Sequence, residues 1–341
     1  MKFINEHLNT EIVLDKNMLT EFDLNDADVF IIDSNVFRLY KNLFKPIKDQ
    51  SRIFIYEANE HAKNNDSLKK IYKFLNTNNV KRNNIIIGIG GGITTDIAAF
   101  AASTFKRGCR LILVPTTLLG MVDASIGGKT GINFENIKNG IGSFYPAEKV
   151  IINSDFLKTQ IKADYKDGLV EIIKMSFLSH SNLYKILYDE QNIEEIIKEA
   201  IRTKLELCQK DLHDKSSRRL LNLGHTFGHV LESISNYEIS HGTAVAIGIR
   251  AASRFSLQKR FIDDKAYINI ISRMNKYELP KSFSRKYLAL LLEQGISKLK
   301  QDKKADDKIN LILFKDLDEL FIFQTDKYKE IINTLKEFTD V

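Results

Sequence analysis

Two histidines stand four residues apart in "LLNLGHTFGHVLE" (220–232), at His225 and His229. On a helix that spacing puts both rings on one face, which suits a metal or an acid/base pair. Thr226 occupies the glutamate position of the zincin pattern HExxH, so a metalloprotease is disfavoured. A helix whose core contains imidazole is the competing reading. Two more groups weigh on the side of chemistry: His241 enters an apolar run in "SHGTAVAIG", and Glu171 interrupts another in "GLVEIIK". A carboxylate on an apolar face is costly unless it is paired or binds a metal.

A second concentration of unusual residues precedes these. "IIIGIGGGITTDIAAFAAS" (85–103) reads as a strand, a turn containing Gly88, Gly90, Gly91 and Gly92, and a helix beginning near Ile93. Adjacent glycines let a backbone approach a pyrophosphate, and the following helix N-terminus offers unpaired N–H groups. Ile93 stands where GxGxxG needs its third glycine and no GK[ST] follows, so a tight packing turn competes with a dinucleotide site. "VPTTLLGMVDASIGGKTGINFENIKNGIGSFY" (114–145) adds Thr116, Thr117, Asp123, Lys129 and Lys138. Lysine among glycines suits a phosphate or a polyhydroxylated ligand. The first 87 residues contain no glycine, whereas 16 of the 17 lie from Gly88 to Gly248, so backbone freedom and the expected site share one region.

The elements that must carry these residues divide the chain. "VFIID", "RIFIY", "NIIIGI", "RLILVP" and "KVIIN" are β-branched and too short for buried helices, so they read as strands of a largely parallel sheet. From about residue 160 the apolar spacing becomes helical, as in "AVAIGIRAASRFSLQKR" and "KYLALLLEQGISKLK". The expected fold is α/β: a parallel-sheet domain followed by an all-α domain, with the boundary near 155 to 165. At 341 residues, two domains are the prior expectation.

Composition narrows the classes. With two cysteines and no CxxC pair, a disulfide scaffold is excluded and a reducing compartment is expected. No apolar run is long enough for a membrane span, and the N-terminus lacks a signal-peptide pattern, so the expected location is the cytoplasm. The net charge of +6 comes from lysines scattered among acids, which fits solvated helix faces and not nucleic-acid binding.

Taken together, "VPTTLL", "VDASIGGKTG", "KNGIGSFY", "GLVEIIK", "LLNLGHTFGH" and "HGTAVAIG" resemble the 3-dehydroquinate synthases of the sugar phosphate cyclase family, in order and at compatible spacing. The resemblance implies an N-terminal Rossmann-like NAD-binding domain over 1–158 and a C-terminal helical domain over 159–341 that carries metal and substrate groups, with NAD, a divalent metal (zinc or cobalt), a small sugar phosphate as substrate, and a homodimer. It implies Glu171, His225 and His241 as metal ligands, with His229 turned to the substrate. For NAD it points to Asp33, Glu60, Lys63, Gly90, Gly91, Gly92, Thr95, Asp96, Thr116, Thr117, Lys129, Lys138, Phe156 and Thr159. For the substrate it points to Asp123, Lys129, Asn139, Lys174, Lys204, Arg218, Asn222, His229 and Lys303 or Lys304. The implied reaction begins with 3-deoxy-D-arabino-heptulosonate 7-phosphate and runs through transient oxidation by NAD, phosphate elimination and aldol closure, with no net consumption of NAD. The chain departs from the usual family pattern at Asn59, Thr95, Leu212, Asp214 and Thr243. Other readings are a sister cyclase acting on an aminated or heptulose phosphate, an iron-type alcohol or glycerol dehydrogenase, and a catalytically silent scaffold.

Overall fold

The five β-branched runs expected as strands form five adjacent strands of one sheet in the computed structural model, which describes residues 2–5, 9–15, 28–47, 49–135, 137–178, 181–189, 192–301 and 308–340. The chain divides into two units, one of Met1–Gly168 with Lys204–His213 and the other of Leu169–Thr203 with Asp214–Val341.

In the first unit the order along the chain is β1 (Lys2–Asn5), β2 (Thr10–Leu14), β3 (Val29–Asp33), α1 (Ser34–Leu39), β4 (Ile53–Tyr56), α2 (Asn65–Thr77), β5 (Ile85–Gly90), α3 (Gly92–Thr104) and β6 (Arg110–Pro115). β7 (Lys129–Phe134), β8 (Ile137–Phe144), β9 (Lys149–Ile152) and the start of α4 (Lys162–Met175) follow. The sheet order is β1-β2-β9-β6-β5-β3-β4, parallel throughout except for the β1–β2 edge pair. β3 is buried along its whole length, and β5 and β6 are buried except at their first residues, which is why they read as unbroken apolar runs. From β3 the chain goes outward to β4 and then returns to the other side of β3 as β5. That reversal is the topological switch point at which doubly wound sheets hold ligands, beyond the carboxyl ends of the strands. Asp33 ends β3 and Gly90 ends β5, so both residues sit at the switch point.

β7 and β8 form a separate antiparallel hairpin where the sequence suggested only a glycine-rich segment. The glycines belong to the pairing: Gly131 faces Gly142, and a Cβ on Gly142 would overlap the Thr130 carbonyl oxygen. Their function in the hairpin is close strand approach, which removes the side chains that would have signalled a strand.

The second unit is helical: the rest of α4, α5 (Leu183–Asp189), most of α6 (Ile193–Lys210), α7 (His225–Ile234), α8 (His241–Gln258), α9 (Asp264–Lys276), α10 (Leu288–Gln301) and α11 (Tyr328–Lys336). It also contains one hairpin, β10 (Ile309–Asp316) with β11 (Glu319–Thr325), which an all-α expectation did not include. Phe321 and Phe323 of β11 pack edge-on against Phe261, at centroid distances of 5.1 and 5.3 Å, so this hairpin is part of the helical core. Among the described residues no helix is long and apolar enough to cross a membrane.

Candidate active site

The metal-competent cluster is built by an unusually close helix pair. Gly224 precedes α7 with φ 78°, a left-handed conformation that favours glycine. A Cβ there would lie 2.7 Å from the Ile249 backbone nitrogen, and one on Gly228 would lie 3.0 Å from the Ala244 carbonyl. On Gly248 of α8 it would overlap the Gly224 carbonyl oxygen. α7 and α8 therefore touch backbone to backbone, and each begins with a histidine, His225 and His241, whose ring centroids are 5.3 Å apart. Glu171 of α4 completes the group: ligand atoms of Glu171, His225 and His241 all lie within 4.8 Å of one another.

The tautomers follow from what each ring touches. His225 Nδ1 lies 3.2 Å from the Leu223 carbonyl oxygen, which can only accept, so Nδ1 carries the proton. His241 Nδ1 lies 3.2 Å from a Glu232 carboxylate oxygen and is held the same way. Both Nε2 lone pairs are thus left for a ligand, and they approach Glu171 Oε1 at 3.9 and 3.6 Å. Burial, then the charge of Lys174 and the neighbouring rings of His241 and His229, push His225 well below the ordinary imidazole value, so it stays neutral.

Glu171 is fully buried, and Lys174 is 2% exposed. Burial pushes the Glu171 carboxyl up, but the Lys174 ammonium against Oε2 and His241 outweigh it and hold the group down to about 2. Neither carboxylate oxygen has a hydrogen bond of ordinary geometry. An ionised, buried, under-bonded carboxylate beside two oriented imidazoles is the donor set of a divalent metal with open positions, so these residues fit the group. His229 faces the same cluster from the next turn of α7, with its ring centroid 5.5 Å from that of His225. Arg218 is buried in the short helix Ser217–Asn222 that leads into α7, and Asn222 ends that helix half-buried.

At the switch point of the first unit, a Cβ on Gly90 would meet Thr94 at 2.7 Å and Asp33 at 2.9 Å. The buried Thr94 hydroxyl has no hydrogen-bond partner there. Asp33 Oδ1 accepts from the Asn35 and Val36 backbone N–H groups at 2.8 and 3.1 Å and caps α1, while burial raises its pKa against those bonds. Thr116 is buried beside Gly90, bonded through its N–H to the Gly90 carbonyl at 2.9 Å, and Thr117 packs on the missing Cβ of Gly91 at 3.1 Å. A glycine cradle, an orphaned hydroxyl and the first turn of α3 fit a dinucleotide. The Lys63 ammonium lies 2.5 Å from Asp96 Oδ2 and 2.6 Å from Asn139 Oδ1. Burial pushes Asp96 up, and Lys63 opposes that. Phe156 stacks edge-on against Tyr40 at 4.8 Å, and Thr159 bonds the Tyr40 hydroxyl at 2.8 Å.

Of the residues assigned to the substrate, Lys204 lies on Asp123 Oδ1 at 2.5 Å and also donates to the Asp123 carbonyl. Lys129 opens β7 and is exposed, and Lys138 lies on β8, half-buried. Lys303 and Lys304 fall outside the described residues. The departures have local explanations in part. Asn59 accepts from the Ala62 N–H at 2.8 Å and shapes the loop leading to Lys63, and the Thr95 hydroxyl donates to the Gly92 carbonyl at 3.0 Å. Thr243 is bound by the capping Ser240, whose hydroxyl donates to Thr243 Oγ1 at 3.0 Å, so it finishes the N-terminus of α8. Nothing in the structure explains Leu212.

Four residues with a part in these sites escaped sequence reasoning, among them Thr94, whose unpartnered hydroxyl follows the glycine turn. Glu232, which orients His241, is seven residues after His225 and therefore on the same helix face, a signal that could have found it. Tyr40 and Asn133 act through loop contacts that no periodicity announces.

A doubly wound sheet open at its switch point, with a helical unit holding two oriented histidines and a buried carboxylate, defines a class of two-unit enzymes built for a dinucleotide and a divalent metal. Residues 53–167 match the family described as 3-dehydroquinate synthase N-terminal, and residues 168–305 match its C-terminal counterpart. The chain belongs to the 3-dehydroquinate synthase family. It is 34% identical over 327 residues to the 3-dehydroquinate synthase of Clostridium tetani, covering 92% of this chain and 86% of that protein. In fold it is similar to 2-epi-5-epi-valiolone synthase from Streptomyces hygroscopicus, solved with NAD+ and Zn2+, at a TM-score of 0.84 and 24% identity, covering 96% of both chains. It is also similar to 2-deoxy-scyllo-inosose synthase, solved with carbaglucose-6-phosphate, NAD+ and Co2+, at a TM-score of 0.83 and 20% identity over 96% of this chain and 97% of that one.

Proposed function

We propose that this chain converts 3-deoxy-D-arabino-heptulosonate 7-phosphate to 3-dehydroquinate and phosphate, as a cytoplasmic homodimer in the shikimate route to aromatic amino acids. The observation that carries the reading is the convergence of Glu171, His225 and His241 within 4.8 Å, in a chain whose family match runs across both units. When bound, NAD supplies a reversible hydride acceptor and zinc or cobalt supplies a Lewis acid for the substrate's oxygens. In this reading residues 1–158 serve the cofactor and 159–341 the metal and most substrate contacts.

The chain's own groups divide the remaining work. Glu171, His225 and His241 would hold the metal and, as three ligands, would leave it a position open to a carbinol. Glu232 and the Leu223 carbonyl fix the ring tautomers, so the donors do not reorganise when the metal enters. Glycine turn, Thr94, Asp33 and Asp96 hold the dinucleotide. Lys174, Lys204, Arg218 and the loop lysines place positive charge for a phosphate and a carboxylate, while His229 and Asn222 supply hydrogen bonds to hydroxyls.

The test is phosphate release by the zinc- and NAD-supplied protein, with absorbance at the NADH band followed in the same sample. Phosphate release without net NADH is expected. Net NADH would identify an alcohol dehydrogenase, and inertness with this substrate alongside turnover of another sugar phosphate would identify a sister cyclase. In the same assay, Lys204→Met is expected to lower kcat/KM by about a hundredfold, since truncating a buried charged donor costs about 2–5 kcal/mol. NAD affinity unchanged within about twofold separates this from a general collapse of the first unit. A variant with wild-type kcat/KM would remove Lys204 from the substrate site.

A further inference from the structure

The loop that carries Glu60 and Lys63 and the hairpin that carries Asn139 are joined through one side chain. Asn133 sits at the irregularity of β7 where the register with β8 shifts between Ile132 and Phe134. Its Nδ2 donates to the Glu60 carboxylate at 2.8 Å and to the Glu60 carbonyl at 3.0 Å. Its Oδ1 accepts from the Asn139 backbone N–H at 2.8 Å, and its own N–H donates to the Lys63 carbonyl at 2.8 Å. These contacts fix which end of the amide is oxygen, because only Oδ1 can face the Asn139 N–H. They also use both of its side-chain N–H donors.

Asn139 has φ 51°, in the left-handed region that asparagine tolerates better than most residues. The bond from Asn133 helps hold that conformation, and the Lys63 ammonium, 2.6 Å from Asn139 Oδ1, fixes the side chain. Lys63 is itself seated on Asp96 in the first turn of α3. One end of the Asn133 amide thus grips the loop assigned to the cofactor and the other grips the backbone of Asn139, which is assigned to the substrate. Neither can shift without breaking a charge-assisted or backbone bond to the other.

We propose that Asn133 is a positioning residue that couples the cofactor loop to the placement of Asn139, so that dinucleotide and sugar phosphate each favour binding of the other. The inference rests on the functional reading above. Coupling of this kind is reciprocal, so loss of the link weakens both ligands.

The experiment uses the metal-loaded full chain and its Asn133→Ala variant. NAD affinity is measured by calorimetry without substrate, amide hydrogen exchange of residues 137–144 is followed with and without NAD, and KM and kcat are measured for the heptulosonate phosphate. Asn133→Ala is expected to weaken NAD about tenfold and raise KM about tenfold, with kcat within about threefold. NAD is expected to slow exchange across 137–144 in the wild type and not in the variant. Asn133→Asp, which sets a carboxylate against Glu60, is expected to be at least as impaired. Unchanged NAD affinity in Asn133→Ala, with hairpin exchange equally faster in the presence and absence of NAD, would show a hairpin brace and overturn the coupling. Should Asn133→Ala fail to fold, the wild type alone decides, because no NAD-dependent protection at 137–144 also overturns it. Binding and exchange need no turnover, so a chain that acts on a different sugar phosphate still gives the expected NAD results.

Discussion

Glu171→Gln is expected to strip the protein of its divalent metal and to lower phosphate release by about a thousandfold, because the metal's stabilisation of developing charge amounts to several kcal/mol at 1.36 kcal/mol per decade. It also removes one partner of a buried ion pair. Glu171 is fully buried and Lys174 is 2% exposed, so solvent screens neither. Breaking such a pair from one side costs about 3–5 kcal/mol, since the remaining charge is left uncompensated. The metal-free variant should therefore melt below the metal-free wild type. Adding Lys174→Met removes the orphaned ammonium and is expected to recover most of that stability while restoring neither metal nor activity. The readouts are metal per chain by atomic spectroscopy, the melting temperature with and without zinc, and phosphate release. Zinc should raise the Tm of the wild type and leave both variants unmoved. A Glu171→Gln protein that keeps one metal per chain and turns over near the wild-type rate would take the carboxylate out of the metal site.

The parts of the molecule legible in sequence are those where one physical signal dominates. β3, β5 and β6 are buried on both faces, so their apolar runs survived unbroken, and the helix after the glycine turn starts at Gly92, next to the position its pattern suggested. The hairpins were hidden for opposite reasons. β7–β8 pairs through glycines, which resemble a loop, whereas β10–β11 lies in a helical context and its aromatic face is spent on Phe261. At the metal cluster, spacing alone paired His225 with His229, because four residues on a helix is a local relation. The partner that lies within ligand distance is His241, brought there by contact between helices, a tertiary relation that only the family resemblance supplied. Asn133 belongs to the same category: its side chain holds Glu60, 73 residues earlier, by hydrogen bonds that no local spacing announces.

Gly248→Ala is expected to be the most damaging single-methyl addition in the second unit. Alanine is the better helix former by about 1 kcal/mol, so in an open helix the change would stabilise. Here the new Cβ would overlap the Gly224 carbonyl oxygen, with the Gly228 backbone nitrogen 3.1 Å away. Those neighbours are backbone, and Gly224 immediately precedes His225, so α7 can yield only by carrying a metal ligand away from His241. Overpacking against backbone costs about 1–3 kcal/mol or more after relaxation, which for a chain of this size lowers the Tm by several degrees, roughly 2–4 °C per kcal/mol. Zinc affinity should fall with it, by about tenfold or more in whatever fraction stays folded. Gly295→Ala in α10 is the matched control. Its Cβ would come within 2.7 Å of Ile332 Cδ1, the far end of a flexible side chain, which can rotate aside. Thermal melts and zinc titrations of the two variants side by side should separate them, with Gly295→Ala within about 1 kcal/mol of the wild type and unaltered in zinc binding. If instead both bind zinc and melt alike, the closeness of α7 and α8 is not what holds the two histidines in register.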